Sequence, residues 1–466
     1  MKTLRDPQCL LSDGLAAIRA QFQVPAGFPP DVQGEAEAAA RRAPAEHRDR
    51  TGERFVTLDP ASSTDLDQAF AIETGGSDLI LHYAIADVAW FVADGGALDR
   101  EAWRRGTTIY LPGGKAGLYP PVLSENAASL LAANFPNGGP RPAVVFTVRV
   151  AEDGAVRLDG AERAVIRSRA KLAYDTVRNA ELPEGFGELA ARIARAEDRR
   201  GAARVDPPEQ EVTRDAGGRF VLHLRPQPAA ERRNAALSLA TNMAVADALQ
   251  AAGTGLFRVM DPPEPHAEQR LRRTAEAFAL DWPEAEQLRG FERRLDPADP
   301  RAAAFLLAVR RAGNGASYVP WRAGKVPWHA AMAATYAHAT APLRRLADRY
   351  VVRAALALAK GQPVPEAVSE AFTRLPAVMD KAEARNGQIE RAAIDLAETA
   401  MLSGREGESF AAVVTDLGEQ GARIQLCDLP VVARVVARDV VPGARIQVRL
   451  EAVDTARRTL SFKRLS

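Results

Sequence analysis

The stretch Phe55-Val56-Thr57-Leu58-Asp59-Pro60-Ala61-Ser62-Ser63-Thr64-Asp65-Leu66-Asp67-Gln68-Ala69 opens as a strand and ends in a cluster of acids. Phe55 to Leu58 carry aromatic, β-branched and apolar side chains, and Asp59 ends the strand. Asp65 and Asp67 follow a short Ser/Thr loop, two residues apart, so in an extended chain both point the same way. Three carboxylates gathered at one strand end do not all stay ionised without a compensating cation. Hard oxygen donors of this kind suit Mg²⁺ or Mn²⁺, with phosphate oxygens completing the shell. Such a site activates water and stabilises the leaving oxygen in phosphodiester hydrolysis. The Asp-x-Asp pattern alone is also compatible with a solvated turn capped by Ser62 to Thr64, and with a metal-dependent glycosyl or phosphoryl transferase.

Outward from this stretch, Leu79 to Val88, 143–150 and 156–166 read as further strands. Helical periodicity dominates 185–200, 229–251, 264–279 and 301–312, and 328–403 reads as nearly all helix. A mixed sheet followed by helices predicts an α+β catalytic body over 50–403. Gly404 to Gly407 ends the helical run. Five short strands follow (Phe410–Val414, Gly421–Leu426, Val431–Ala437, Arg445–Leu450 and Thr459–Phe462), the pattern of an OB-fold β-barrel over 404–466. Upstream, Leu10, Leu11, Leu15 and Ile18 have helical spacing, and Asp31 is placed to cap a second helix reaching Arg42. Residues 1–49 thus form a short helical N-terminal element.

A second motif lies far along the chain: Tyr336-Ala337-His338-Ala339-Thr340-Ala341-Pro342-Leu343-Arg344-Arg345-Leu346-Ala347-Asp348. Pro342 suits the first turn of a helix, which would set Arg344 and Arg345 near an N-terminus that favours phosphate. Asp348 is four residues after Arg344, so an ion pair within the helix is the alternative.

In 466 residues, 61 Lys and Arg nearly cancel 60 Asp and Glu, so any nucleic-acid site must be a local patch. Cys9 and Cys427 form no CxxC pattern, which argues against zinc or a disulfide framework. No apolar run is long enough to span a membrane, and Met1 to Asp6 leads into no signal-type apolar segment. A soluble cytoplasmic protein is expected.

The two motifs together resemble the ribonuclease II (RNB) family. Thr57-Leu58-Asp59 with Asp65-Leu66-Asp67-Gln68-Ala69 is similar to its first signature, and Tyr336 to Asp348 to its second. His82 to Val88, the RGTTIYLP of Arg105 to Pro112, and Phe257-Arg258-Val259 with Pro262 and Pro263 are similar to intermediate family segments. The resemblance covers about residues 50–466. It implies a 3′-to-5′ exoribonuclease that hydrolyses single-stranded RNA processively to nucleoside 5′-monophosphates, using Mg²⁺ with Mn²⁺ as a substitute. It implies that Asp59, Asp65, Asp67 and Gln68 form the metal cluster, with Asp65, Asp67 and Arg344 catalytic. Tyr110 would stack on the 3′-terminal base, Arg344 and Arg345 would hold phosphate, and Glu390 would meet the terminal ribose. A monomer with no obligate protein partner is implied. Gln68 stands where the family has a fourth acid; its carbonyl oxygen can coordinate but brings no charge. That departure supports a second reading, a weak or silent RNA-binding homologue. Met260 and Ala235-Ala236 also depart from the family pattern, and PPEQEV near Val205 to Thr213 offers no second aromatic clamp. The N-terminal helices, in place of cold-shock-type barrels, either dock on the core or touch RNA, and a more open RNA entrance is expected.

Overall fold

The computed structural model describes residues 10–131, 139–202, 209–214, 220–225, 228–262, 265–296, 299–312, 315–418, 421–437 and 439–465. The body is built on strands β1 (Arg48–Asp49), β2 (Phe55–Asp59), β3 (Gln68–Gly75), β4 (Asp78–Ala86), β5 (Ile109–Leu111), β6 (Gly114–Ala116), β7 (Arg141–Val150), β8 (Val156–Ile166) and β9 (Ser168–Ala173). Seven of them form one mixed sheet in the order β1-β8-β7-β4-β3-β2-β9. β1 runs parallel to β8 and β2 parallel to β9; the other neighbours are antiparallel. β4 and β7 are buried along nearly their whole length. Their near-continuous apolar sequence is what a central strand covered on both faces requires.

The helix Ala229–Ala251 packs against this sheet through Leu237, Ala240, Ala244 and Val245. The helix Leu346–Ala359 joins the same core, with Leu346, Ala347, Tyr350 and Val351 buried. A long helix, Glu366–Leu402, runs on to the C-terminal unit. That unit is a closed five-stranded barrel of Ser409–Gly418, Gly421–Leu426, Val432–Val436, Arg445–Asp454 and Thr459–Arg464. Its separate core centres on Val414, Ile424, Val448 and Leu450.

The N-terminal helix Leu10–Gln21 docks on the body: Leu11, Leu15 and Ile18 pack with Ile389 and Leu396 of the long helix. The approach is close, since a Cβ on Gly14 would lie 2.5 Å from a Leu396 methyl.

Two expectations need correction. Residues 328–345 are not helical: Trp328–His329 and Ala334–Thr335 form a small antiparallel pair, and 336–345 is loop and turn. Pro342 therefore lies before the helix rather than in its first turn. Asp31 is not a cap; Pro29 precedes the helix Pro30–Ala40, and no side chain caps it. Of the PPEQEV stretch, 207–208 lie outside the described residues, and Glu209–Arg214 is a strand paired with Phe220–Arg225.

Candidate active site

Asp59 closes β2 and Gln68 opens β3, and the loop between them is held at several points. Lys171 Nζ donates to the carbonyls of Ala61 (2.7 Å) and Ser63 (2.6 Å). Ser129 Oγ donates to Thr64 O (2.8 Å) and accepts from Leu66 N (2.9 Å). Leu66 is fully buried between Asp65 and Asp67. Alternation along extended backbone then turns the two acids to the side opposite Leu66.

The three acids meet different surroundings. Asp67 is 6% exposed; its Oδ1 accepts the Leu343 amide at 2.7 Å, and its Oδ2 lies 3.8 Å from Arg344 Nε. Burial pushes its pKa up to about 8, against the pull of Arg344 and the Leu343 amide. Burial also pushes Asp59 up to about 6, against Arg344 and Lys171. Asp59 Oδ2 is buried without a hydrogen-bond partner. Asp65 belongs to a hairpin instead: Lys115 Nζ is 2.7 Å from its Oδ1, and the Tyr110 hydroxyl lies 3.4 Å from its Oδ2. Gln68 Oε1 accepts the hydroxyl of the buried Tyr83.

The donor set at Asp59 and Asp67 fits a hard divalent cation. One carboxylate has an orphaned buried oxygen, and both are held toward the neutral form by desolvation, which a cation would reverse. The charge of Asp65 raises the pKa of both of them, and Lys115 lies against Asp65 itself. Among the described residues, no group of three or more His, Cys, Asp or Glu side chains is arranged to hold a metal ion.

The second motif arrives through a turn rather than a helix. Arg345 is the residue before the helix Leu346–Ala359. Its guanidinium grips Asp348 with two bonds, Nε to Oδ1 at 2.8 Å and Nη2 to Oδ2 at 2.7 Å. Asp348 also accepts the Ala341 amide at 2.8 Å, which closes the turn. Asp348 thus pairs with Arg345 and not with Arg344. Arg344 projects from the turn, 46% exposed, beside Asp67.

The helix Ala229–Ala251 ties the two motifs together. Asn234 Nδ2 donates to Leu58 O at 3.1 Å, ahead of Asp59. Two turns later, Asn242 donates to the Tyr336 hydroxyl at 3.0 Å and accepts the Ala339 amide at 2.9 Å. An asparagine supplies both donor and acceptor, which an apolar residue there would leave unmet.

Tyr110 stands on the β5–β6 hairpin, whose turn is Pro112-Gly113. Gly113 has φ of 82°, the left-handed value that the second central residue of a type II turn requires. Ile109 and Leu111 face the N-terminal helix, so Tyr110 faces the opposite way and is 53% exposed. Lys115 is its cross-strand partner. Glu390 is exposed on the long helix. One turn before it, Asn386 Nδ2 bonds Thr107 Oγ1 (3.0 Å) and Thr108 O (3.1 Å), tying that helix to the chain entering β5.

Sequence reasoning missed Lys115, Lys171 and the roles of Asn234 and the Leu343 amide. The Pro-Gly turn after Tyr110 signals a hairpin, and so a residue opposite Tyr110. The others carry no local signal.

The RNB domain family matches residues 47–360, and the RNase II-type exonuclease C-terminal S1 domain matches 408–465. Exoribonuclease 2 of Enterobacter sp. is 30% identical over 421 residues, covering 84% of this chain and 63% of that protein. The chain spans about six tenths of the length of the curated relatives it matches. The structure of Mycoplasma genitalium RNase R in complex with ribose-methylated single-stranded RNA superposes with a TM-score of 0.84 at 20% identity, over 100% of this chain and 79% of that one. Yeast Ssd1, a pseudonuclease, superposes with a TM-score of 0.66 at 17% identity, over 96% of this chain and 57% of that one.

Proposed function

The chain belongs to the RNB family, and on that premise we propose that it is a 3′-to-5′ exoribonuclease that hydrolyses single-stranded RNA to nucleoside 5′-monophosphates. The observation that carries this reading is the meeting of Asp59, Asp67 and the half-exposed Arg344, which two distant motifs of the chain supply. A bound Mg²⁺ would polarise the scissile phosphate and activate the attacking water. Asp59 and Asp67 would hold it, with Asp65 and Gln68 beside them. Water attacks phosphorus, and the P–O3′ bond breaks; the shortened RNA leaves with a 3′-hydroxyl.

The chain's own side chains do the positioning. Arg344, free of Asp348, offers its fork to the non-bridging phosphate oxygens, where negative charge develops. Arg345, whose guanidinium is occupied by Asp348, shapes the turn and reaches phosphate only as background charge. The exposed ring of Tyr110 is a stacking surface that accepts any base. Glu390, exposed on the long helix, would accept a ribose 2′-hydroxyl, which distinguishes RNA from DNA. The barrel supplies a second RNA surface.

A second reading is a silent RNA-binding protein. It rests on Gln68, whose carbonyl oxygen is turned to Tyr83 and which brings no charge. The likeness in fold to a pseudonuclease is compatible with it.

The test is 5′-labelled oligo(A) with Mg²⁺ or EDTA, beside Asp67→Asn and an all-DNA oligomer. The nuclease reading expects metal-dependent shortening from the 3′ end, reduced to background in Asp67→Asn and absent on DNA. Intact RNA with both Mg²⁺ and Mn²⁺, still retarded in a gel shift, would establish the silent reading.

A further inference from the structure

Asp65 acts by its charge on Asp59 and Asp67 and is itself paired with a lysine. Lys115 Nζ lies 2.7 Å from Asp65 and 3.0 Å from Glu125, and 3.5 Å from Thr64 Oγ1, which accounts for its three N–H donors. The backbone fixes where this ammonium sits. Lys115 is paired in register with Tyr110 across a tight turn, and the next residue, Ala116, is buried against the N-terminal helix. Glu125 is equally placed, on the short turn Leu123–Ala127 that leads into Ser129, which grips the acidic loop.

We propose that Lys115 is a resident cation of the acidic centre: its ammonium takes the place of a second metal ion, and the protein binds a single divalent cation, at Asp59 and Asp67. This rests on the reading of the site as a divalent-cation centre.

The charges support it. Four carboxylates (Asp59, Asp65, Asp67 and Glu125) face three cations (Lys115, Lys171 and Arg344), a deficit of one positive charge. One divalent ion and one phosphodiester bring the site to neutrality, whereas two divalent ions would leave it at twice-positive. Gln68 adds no charge to accommodate another ion. A fixed ammonium between Asp65 and Glu125 also repels a dication from the only remaining pair of carboxylates in the set.

The experiment counts bound Mn²⁺ on the full chain, from the electron paramagnetic resonance signal of the free ion during titration, with oligo(A) shortening followed in parallel. Wild type and Lys115→Arg are expected to bind one Mn²⁺. Lys115→Met is expected to gain a second, weaker site, which Lys115→Met/Asp65→Asn loses again. Two ions in a wild-type protein that shortens RNA would overturn the role of Lys115 and leave the nuclease reading standing, whatever the stability of the variants. An unchanged count of one in folded Lys115→Met would also overturn it. No bound ion together with intact RNA would overturn the nuclease reading and this inference with it.

Discussion

The C-terminal barrel and the acidic loop handle charge in opposite ways. In the barrel strand Arg445–Asp454, Ile446, Val448 and Leu450 point inward while Arg445, Gln447 and Arg449 stay in water. Along that strand the charged groups stay in water, and burial of the apolar ones stabilises. In the loop, Asp59 and Asp67 are desolvated with too few donors to satisfy them. A carboxylate in that position costs stability until a cation arrives. The barrel strand serves the fold, whereas the loop serves binding, and the surrounding sheet sustains the desolvation of its acids.

The strongest challenge to this contrast is the neighbouring pair Arg344 and Arg345. Arg344→Ala should lower the rate of oligo(A) shortening by about 10²- to 10³-fold with little change in thermal stability, because its side chain is half exposed. Arg345→Ala should instead leave the fully buried Asp348 unpaired and cost about 3–5 kcal/mol in urea unfolding. If the two variants exchange phenotypes, the assignment of the phosphate grip to Arg344 is wrong.

Leu450→Ala probes the barrel. Its side chain is fully buried in the barrel core, so truncation should cost about 2–5 kcal/mol. The body should keep cleaving short RNA at a temperature where the barrel is unfolded, which a protease-protection experiment would reveal.

The loop's charge makes a pH prediction. Unfolded, both acids lose their protons near 3.8; folded, Asp59 keeps its proton to about 6 and Asp67 to about 8. Between those values the folded state binds more protons, so raising the pH destabilises the metal-free protein. The stability both protonated acids confer is complete below pH 3.8 and lost as pH rises through 6 and 8. Mg²⁺ competes with those protons. The gain in melting temperature from adding Mg²⁺ to EDTA-treated protein should therefore be larger at pH 8.5 than at pH 5. An equal gain at both values would show that the ion binds elsewhere.

The smallest effect is expected on the barrel surface. Burial and the like charges of Arg391 and Arg434 outweigh the pull of Asp416 and Asp395 and hold Arg423 below its ordinary pKa. Arg423→Ala should reduce the salt dependence of RNA binding, with the log–log slope falling by about 1, and leave the rate on saturating short RNA unchanged.

The regular elements were legible because their information is local. The strand Val156–Ile166 and the helix Ala229–Ala251 coincide with their sequence patterns, and the barrel's alternation marks each of its strands. The failure at 328–345 has a definite cause. Apolar periodicity there suggested helix, but Asn242 binds the backbone at Ala339, and Asp348 reaches back to Ala341. Those long-range bonds outweigh a weak local propensity. At the site, the Asp-x-Asp and Arg-Arg pairs were visible as residue types, yet which arginine was free was not. That depended on Asp348 lying three residues from one and four from the other, at the start of a helix whose position only folding sets.

The sequence alone carried which residue types could do chemistry, where the strongly patterned strands and helices run, and that a barrel follows the body. Side-chain pattern and backbone propensity act over a few residues, and the sequence states them directly. Only the tertiary structure decided that Asp65 faces Lys115, that Asp67 meets Leu343 and Arg344, and that one helix joins both motifs through Asn234 and Asn242. Desolvation and ion pairing depend on which distant groups share a volume of a few ångströms, and that volume exists only once the sheet, the hairpin and the turn have packed together.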